Sequence, residues 1–290
     1  MANQKRGGYS VRHWLDGGDG TTAIVFNLNH KDKVLKSLFH QRNFRIAMSH
    51  AIDRDAIREA AFLGIGESRQ ISPPPISAYH MPEHAYGYLT YDPVLANRLL
   101  DEIGLVKRDE RGMRLRSDGS PLVLNIETSS TMLGAGKMFE MIAANWRDVG
   151  IDAKVKMQAR QLYAQRRNAL LCDVLVWGGA GEIVPTLDPR WFLPYSSSSF
   201  HGLDYARWYR SGGKTGTKPP PDMLRALDLF GQIELTVDEE EQIRLFKEII
   251  ELNRQNLWVI GTVGAIPQLF IVKNTFRNVP EVAVGCWPLR

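Results

Sequence analysis

The side chains with chemistry to offer are thinly spread along these 290 residues. The seven histidines, His13, His30, His40, His50, His80, His84 and His201, are scattered, and His80 and His84 could share a metal only on a helical turn, which Pro82 between them opposes. Cys172 sits inside an apolar run and Cys286 near the C-terminus, so they read as two free thiols rather than a disulfide or a zinc pair. The chain has no Gly-x-Ser-x-Gly elbow, phosphate-cradling loop or His-Glu-x-x-His motif. Glu182 and Asp188, beside Trp191, are the one acid pair a hydrolase could use. Glycoside hydrolysis needs its carboxyls roughly 5 to 9 Å apart, however, and acids in a loop more often cap helices or pair with bases.

What remains is binding chemistry. In Asp173-Val174-Leu175-Val176-Trp177-Gly178-Gly179-Ala180-Gly181-Glu182 an apolar strand ends in a large ring followed by four small residues. Small residues leave the backbone open to a ligand beside the aromatic face. The next forty positions, 178–221, break periodicity and bring Trp191, Phe192, Tyr195, Phe200, Tyr205, Trp208 and Tyr209, with Arg207 and Arg210. Rings with polar neighbours suit peptide side chains and sugars alike, or they form a satellite core, and Trp177 itself could simply plug a sheet edge. The candidate ligand contacts are Trp177, Gly178, Gly179, Ala180, Glu182, Trp191, Tyr205 and Trp208. No cofactor or metal is implied.

Positioning such a site requires a sheet. Residues 21–29 are β-branched and apolar and read as a strand. In 43–57, Phe44, Ala47, Met48, Ala51 and Ile52 form one buried helical stripe, with Arg45, Ser49 and His50 facing elsewhere. Asp53 then caps a second stretch that leaves Arg54, Asp55 and Arg58 for solvent or ion pairs. Residues 72–82 are too proline-rich for regular structure, Asp92-Pro93 opens a helix, and 107–119 reads as an exposed hairpin. Strands at 122–128, 151–157 and 172–177 alternate with helices at 135–149 and 159–170, the order of a partly parallel sheet covered by helices. Helices at 221–232 and 238–256 follow, the latter with acids in its first turn, then strands at 258–263 and 269–272 and an irregular 279–290.

Basic residues exceed acidic ones by only four and do not cluster, which argues against a nucleic-acid partner. A content of 44% hydrophobic residues supports a large core. No run of about 20 apolar residues could span a bilayer, and the basic start lacks the apolar centre of an export signal.

The string Arg45-Ile46-Ala47-Met48-Ser49-His50-Ala51-Ile52-Asp53-Arg54-Asp55-Ala56-Ile57 resembles a segment of the family 5 extracellular solute-binding proteins, the oligopeptide-binding receptors of ABC importers. The likeness continues in order through Tyr91-Asp92-Pro93 with Ala96, Leu99, Leu100 and Gly104, through Trp146 with Gly150-Ile151, and through Leu257-Trp258-Val259-Ile260. It implies an α/β, periplasmic-binding-protein-like lobe: residues 21–263 as a C-terminal ligand-binding lobe entered and left through hinge strands, 264–290 returning to a first lobe, and 1–20 a segment of that lobe or a tail. Members are much longer, so the first lobe and an export signal are expected before residue 1. The resemblance also implies a periplasmic monomer that captures a small solute and delivers it to membrane permease subunits, without catalysis, with Trp177, Gly178 and Gly179 lining the cleft. One departure stands out. Peptide-binding members place an aspartate three residues after that tryptophan to hold the peptide ammonium, and here the position is Ala180. Unless Glu182 substitutes, an oligosaccharide or a blocked peptide competes with a plain oligopeptide as the solute.

Overall fold

The computed structural model describes residues 3–16, 21–132 and 136–285. In chain order the elements are Gln4–Gly7 (α1), Tyr9–Asp16 (β1), Thr21–Phe26 (β2), Lys33–His40 (α2), Arg42–His50 (α3), Arg54–Phe62 (α4), Glu67–Ser68 (β3), Pro82–Ala85 (α5) and Pro93–Glu102 (α6). Val123–Ser129 (β4), Gly136–Asp148 (α7), Asp152–Gln158 (β5), Arg160–Asn168 (α8), Val174–Ala180 (β6), a 3-10 turn Pro189–Trp191 and Leu203–Arg210 (α9) follow. Pro221–Leu235 (α10), Glu239–Asn256 (α11), Val259–Gly261 (β7), Val263–Gly264 (β8), Gln268–Lys273 (β9) and Val284–Gly285 (β10) complete the described chain.

A five-stranded sheet of order β5-β4-β6-β2-β7 forms the centre. β4 is parallel to both β5 and β6, while β2 runs antiparallel to β6 and β7. Parallel neighbours need long crossovers, and α7 and α8 supply them, as the alternating order of apolar runs requires. Every residue of β2 is buried. From it Phe26 meets Phe39, Phe44 and Trp146 at centroid distances of 5.2, 5.2 and 5.8 Å, which ties α2, α3 and α7 to one face of the sheet. Each such ring pair is worth about 0.5–1.5 kcal/mol beyond its buried area.

The helix caps read from the sequence are made, Asp53 accepting from the Ala56 N–H and Asp92 from Leu95; Asp238, expected as an acid of the first turn, is itself the cap of α11 and accepts from Glu240 and Glu241. The solvent-facing stripe is not. All residues from Phe44 to His50 are buried, and so is Arg54. The Arg45 guanidinium donates to the carbonyls of Phe39, Asn256 and Leu257, the last two being the final residue of α11 and its C-cap. Arg54 donates to Gly261 O at 3.0 and 2.9 Å and to Ser49 O at 2.9 Å. Carbonyls replace water around both cations, as burial demands. Burial pulls the pKa of Arg54 down to about 9, and burial with the nearby Arg42 pulls that of Arg45 to about 10.

Three further expectations are corrected. Pro82 does not exclude a helix: it opens the short α5, where a missing N–H costs nothing. His80 and His84 flank it as structural groups, with ring nitrogens 2.7 Å from Pro73 O and 2.8 Å from Ile71 O. Within 178–221 lies the unexpected helix α9. Residues 9–16 form a real strand, paired antiparallel with β9 from Tyr9↔Lys273 to Trp14↔Gln268 and parallel with β10, in a sheet separate from the central one. Trp14 meets Phe270 at 4.3 Å, with ring planes tilted by 35°, across this pairing. In the 107–119 hairpin Arg114 is fully buried and pairs with Asp101 at 2.5 Å, so that segment is anchored rather than free. Cys172 is a buried free thiol, as expected, and Cys286 lies outside the described residues. Among the described residues no helix is long and apolar enough to cross a membrane.

Candidate ligand-binding site

The parallel strands β4, β5 and β6 point the same way, so their carboxyl ends share one edge, the place where open α/β sheets take ligands. Ser129 of β4 is level with Gln158 of β5. Continuing the register Ile126↔Val174 and Glu127↔Leu175 sets Trp177 beside Ser129. β6 runs three residues further through an irregularity against Thr21–Ala23, where Gly179 takes φ 78°, a conformation that favours glycine.

Trp177 is partly buried. Its ring stacks on Tyr163 at 6.0 Å with planes 13° apart and meets Phe200 edge-on at 5.8 Å. The Tyr163 hydroxyl donates to Val176 O at 3.0 Å, which fixes the stacking partner from behind. Phe200 in turn meets Trp191 at 5.8 Å. Three guanidinium groups lie over these rings: Arg160 over Trp177 at 5.9 Å, Arg167 over Phe200 at 4.6 Å and Arg190 over Trp191 at 5.2 Å. A side chain at Gly178 would come within 3.8 Å of the Met132 methyl group, so soft Met132 also closes on this edge.

Glu182 follows on the same loop. Its Oε2 is buried without a protein hydrogen-bond partner. Burial, helped by the neighbouring Asp188 charge, pushes the carboxyl up to about 8, so it is largely protonated at neutral pH. Asp188 is also raised by burial and ion-pairs with Arg190 at 3.1 Å. Gln158 Oε1 and Trp191 Nε1 are further buried polar atoms without protein partners in this region. The Ser77 hydroxyl donates to Ile183 O and holds the loop against the proline-rich segment. Between them a cavity of about 340 Å³ is lined by Leu15, Arg69, Pro75, Ile76, Ile183 and Pro267.

The structure thus keeps Trp177, Gly178, Gly179, Ala180 and Glu182 on one strand end and its loop, while Trp191, 1% exposed, is a core ring that reaches Trp177 only through Phe200. Tyr205 and Trp208 are not part of this group. Tyr205 is 2% exposed on α9, with its hydroxyl 3.0 Å from His40 Nε2. Trp208 is packed by the turn at Gly213 and Gly216. Tyr205 belongs to the main core, and Trp208 is a half-buried ring on α9 away from Trp177. Sequence reasoning missed Arg160, Ser129 and Met132. The β-α-β order held the signal, because it sends the ends of β4 and β5 and the start of α8 to the edge that carries Trp177. Among the described residues no cluster of three or more His, Cys, Asp or Glu could hold a metal ion.

A mixed sheet whose parallel strands end on an aromatic floor, with a separate strand pairing formed by the two ends of the chain, defines a periplasmic-binding-protein fold. The chain belongs to the bacterial extracellular solute-binding proteins of family 5: the profile of that family's middle region matches residues 2–202. It is 27% identical over 208 residues to the dipeptide-binding protein of Escherichia coli (strain K12), covering 70% of this chain and 34% of that protein. The oligopeptide-binding protein OppA superposes with a TM-score of 0.86 at 34% identity, over 98% of this chain and 47% of that one. The periplasmic binding protein MelB of Agrobacterium fabrum C58, solved in complex with stachyose, shares the fold at TM-score 0.73 and 17% identity, over 94% of this chain and 41% of that one. The chain spans about a third of the curated relative and about half of OppA. Proteins of this family are solute-binding transport proteins rather than enzymes.

Proposed function

We propose that residues 21–263 form the C-terminal lobe of a two-lobe, monomeric solute-capture protein in the periplasm, and that residues 1–20 and 264–290 run to the other lobe. The pairing of β1 with β9 outside the central sheet supports this division. The protein takes up an oligopeptide or peptide-like solute between the lobes and delivers it, unchanged, to the membrane permease subunits of an ABC importer. It needs no cofactor and no nucleic-acid partner. The observation that carries this reading is Trp177, a partly exposed ring at the shared carboxyl ends of three strands, backed by Tyr163 and followed by backbone without bulky side chains. Closing a second lobe over that ring would exclude water from the solute, and the closed form is what a permease can distinguish.

Ala180 supplies no charge for a peptide ammonium, and Glu182 is uncharged at neutral pH. A solute without a free ammonium, such as an N-blocked peptide, therefore fits better than a plain peptide. An oligosaccharide is the second reading, favoured by the partly exposed Trp177 ring with the Arg160 guanidinium over it, and in keeping with the fold shared with stachyose-bound MelB. Hydrolysis by Glu182 and Asp188 is the weaker rival, since Asp188 is engaged by Arg190. A thermal-shift panel on the two-lobe protein with free and N-acetylated di- to pentapeptides and with gluco- and galacto-oligosaccharides tests the reading. Stabilisation by one class, without turnover of it, is expected; turnover of any of them would remove the capture role.

A further inference from the structure

We propose that Arg160 is the receptor for an oxyanion of the solute, so that this protein selects solutes bearing a carboxylate or phosphate and a net negative charge. The inference deepens the capture reading and rests on it. Arg160 is the first residue of α8, exposed, with its guanidinium 5.9 Å from the Trp177 centroid. It makes no ion pair or hydrogen bond with any described residue. Its neighbours differ: Arg166 grips Glu127 at 2.8 and 2.9 Å, Arg190 holds Asp188 at 3.1 Å, and Arg207 holds Asp204 at 3.1 Å. Arg160 alone of these four arginines keeps its charge and its donor fork for something outside the fold.

The surroundings favour an anion there. α8 has no acid in its first turn, and its N-cap, Ala159, offers no side-chain acceptor, so the first backbone N–H groups are open and add the positive end of the helix dipole. Glu127, the acid of β4, is already spoken for: it is fully buried under Arg166 and Gln158. The exposed Thr131, its hydroxyl 2.9 Å from that of the buried Ser129, adds a polar group just past the end of β4 on the same edge. A guanidinium lying over a tryptophan is fixed in position while its in-plane N–H groups stay free, the arrangement that suits bidentate carboxylate or phosphate binding.

The test is titration calorimetry on the two-lobe protein with trialanine in free, N-acetyl, C-amide and doubly blocked forms, and with glucose and glucose 6-phosphate to separate carboxylate from phosphate. N-acetyl-trialanine is expected to bind at least as tightly as the free peptide, and both C-amides about ten-fold or more weakly, or glucose 6-phosphate to bind at least ten-fold tighter than glucose. Arg160→Gln should erase that difference, and Arg160→Lys should retain part of it. Amides that bind as well as acids, or a ratio unchanged in Arg160→Gln, overturn the inference while leaving solute capture intact. Binding of none of the six compounds would overturn both for these solute classes.

Discussion

Replacing Trp177 by alanine separates two roles that the structure gives one ring. The substitution removes the stack on Tyr163, the edge contact with Phe200 and the contact with Arg160. Two ring pairs at about 0.5–1.5 kcal/mol each and a cation–π contact at about 0.5–1 kcal/mol put the stability loss near 2–3 kcal/mol. At about 2–4 °C per kcal/mol, Tm falls by roughly 4–12 °C. On the proposed reading the remaining exposed part of the ring is the face offered to the solute, and its loss is expected to weaken binding by about 1–3 kcal/mol, roughly 5- to 150-fold. Trp177→Phe, which can keep the Tyr163 stack, should hold Tm within a few degrees and still lose part of the affinity. Thermal melts with and without solute, paired with calorimetric titration, read both effects. A lowered Tm with unchanged affinity in Trp177→Ala would show that the ring only closes the sheet edge.

Three other outcomes follow from buried charges. Arg54→Met strips the donors from Gly261 O and Ser49 O, at about 1–3 kcal/mol each, so the urea midpoint should fall by the equivalent of about 2–5 kcal/mol with an unchanged slope; a shift under 1 kcal/mol would contradict the role assigned to this guanidinium. Burial lowers the pKa of His84 to about 4 and that of His201 to about 3, both below the unfolded value, so the unfolded chain takes up protons first and stability drops as pH falls from about 6.5 toward 4. Each costs about 2–3 kcal/mol by pH 4.5, and His84→Gln should flatten its share of the melting-temperature profile between pH 4.5 and 7. Glu182 has the opposite sign: with its folded pKa raised to about 8, the stability its neutral form provides is present below about 4.5 and is lost as pH rises toward 8. Glu182→Gln should therefore match the parent at pH 4.5 and exceed it by about 2–4 kcal/mol at pH 8, and equal melting curves at both pH values would show that the carboxyl is not held neutral.

The parts of the fold legible in the sequence are those set locally. Asp53, Asp92 and Asp238 announced helix starts because a cap is decided by four consecutive residues, and the alternation of apolar runs gave the parallel half of the sheet. What escaped depended on distant partners. Arg45 and Arg54 look like surface residues in any periodicity, yet the carbonyls that accept them belong to residues 256–261, some two hundred positions away. β1 escaped because Tyr9–Asp16 pairs only with β9 and β10, both far along the chain. At the site, Trp177 was legible from the small residues behind it, whereas Arg160 and Ser129 gained meaning only when topology put three strand ends together. Tyr205 was misleading for the same reason: an aromatic in an irregular stretch says nothing of direction, and its hydroxyl turns inward to His40.

Native mass spectrometry of the two-lobe protein, taken directly from the cells that produce it and repeated after denaturation, tests solute capture most directly. One small solute bound one-to-one to the folded protein, released chemically unchanged on unfolding and largely absent from Trp177→Ala, is the predicted result. A protein that retains nothing, and that instead converts added peptides or oligosaccharides with turnover, would contradict it.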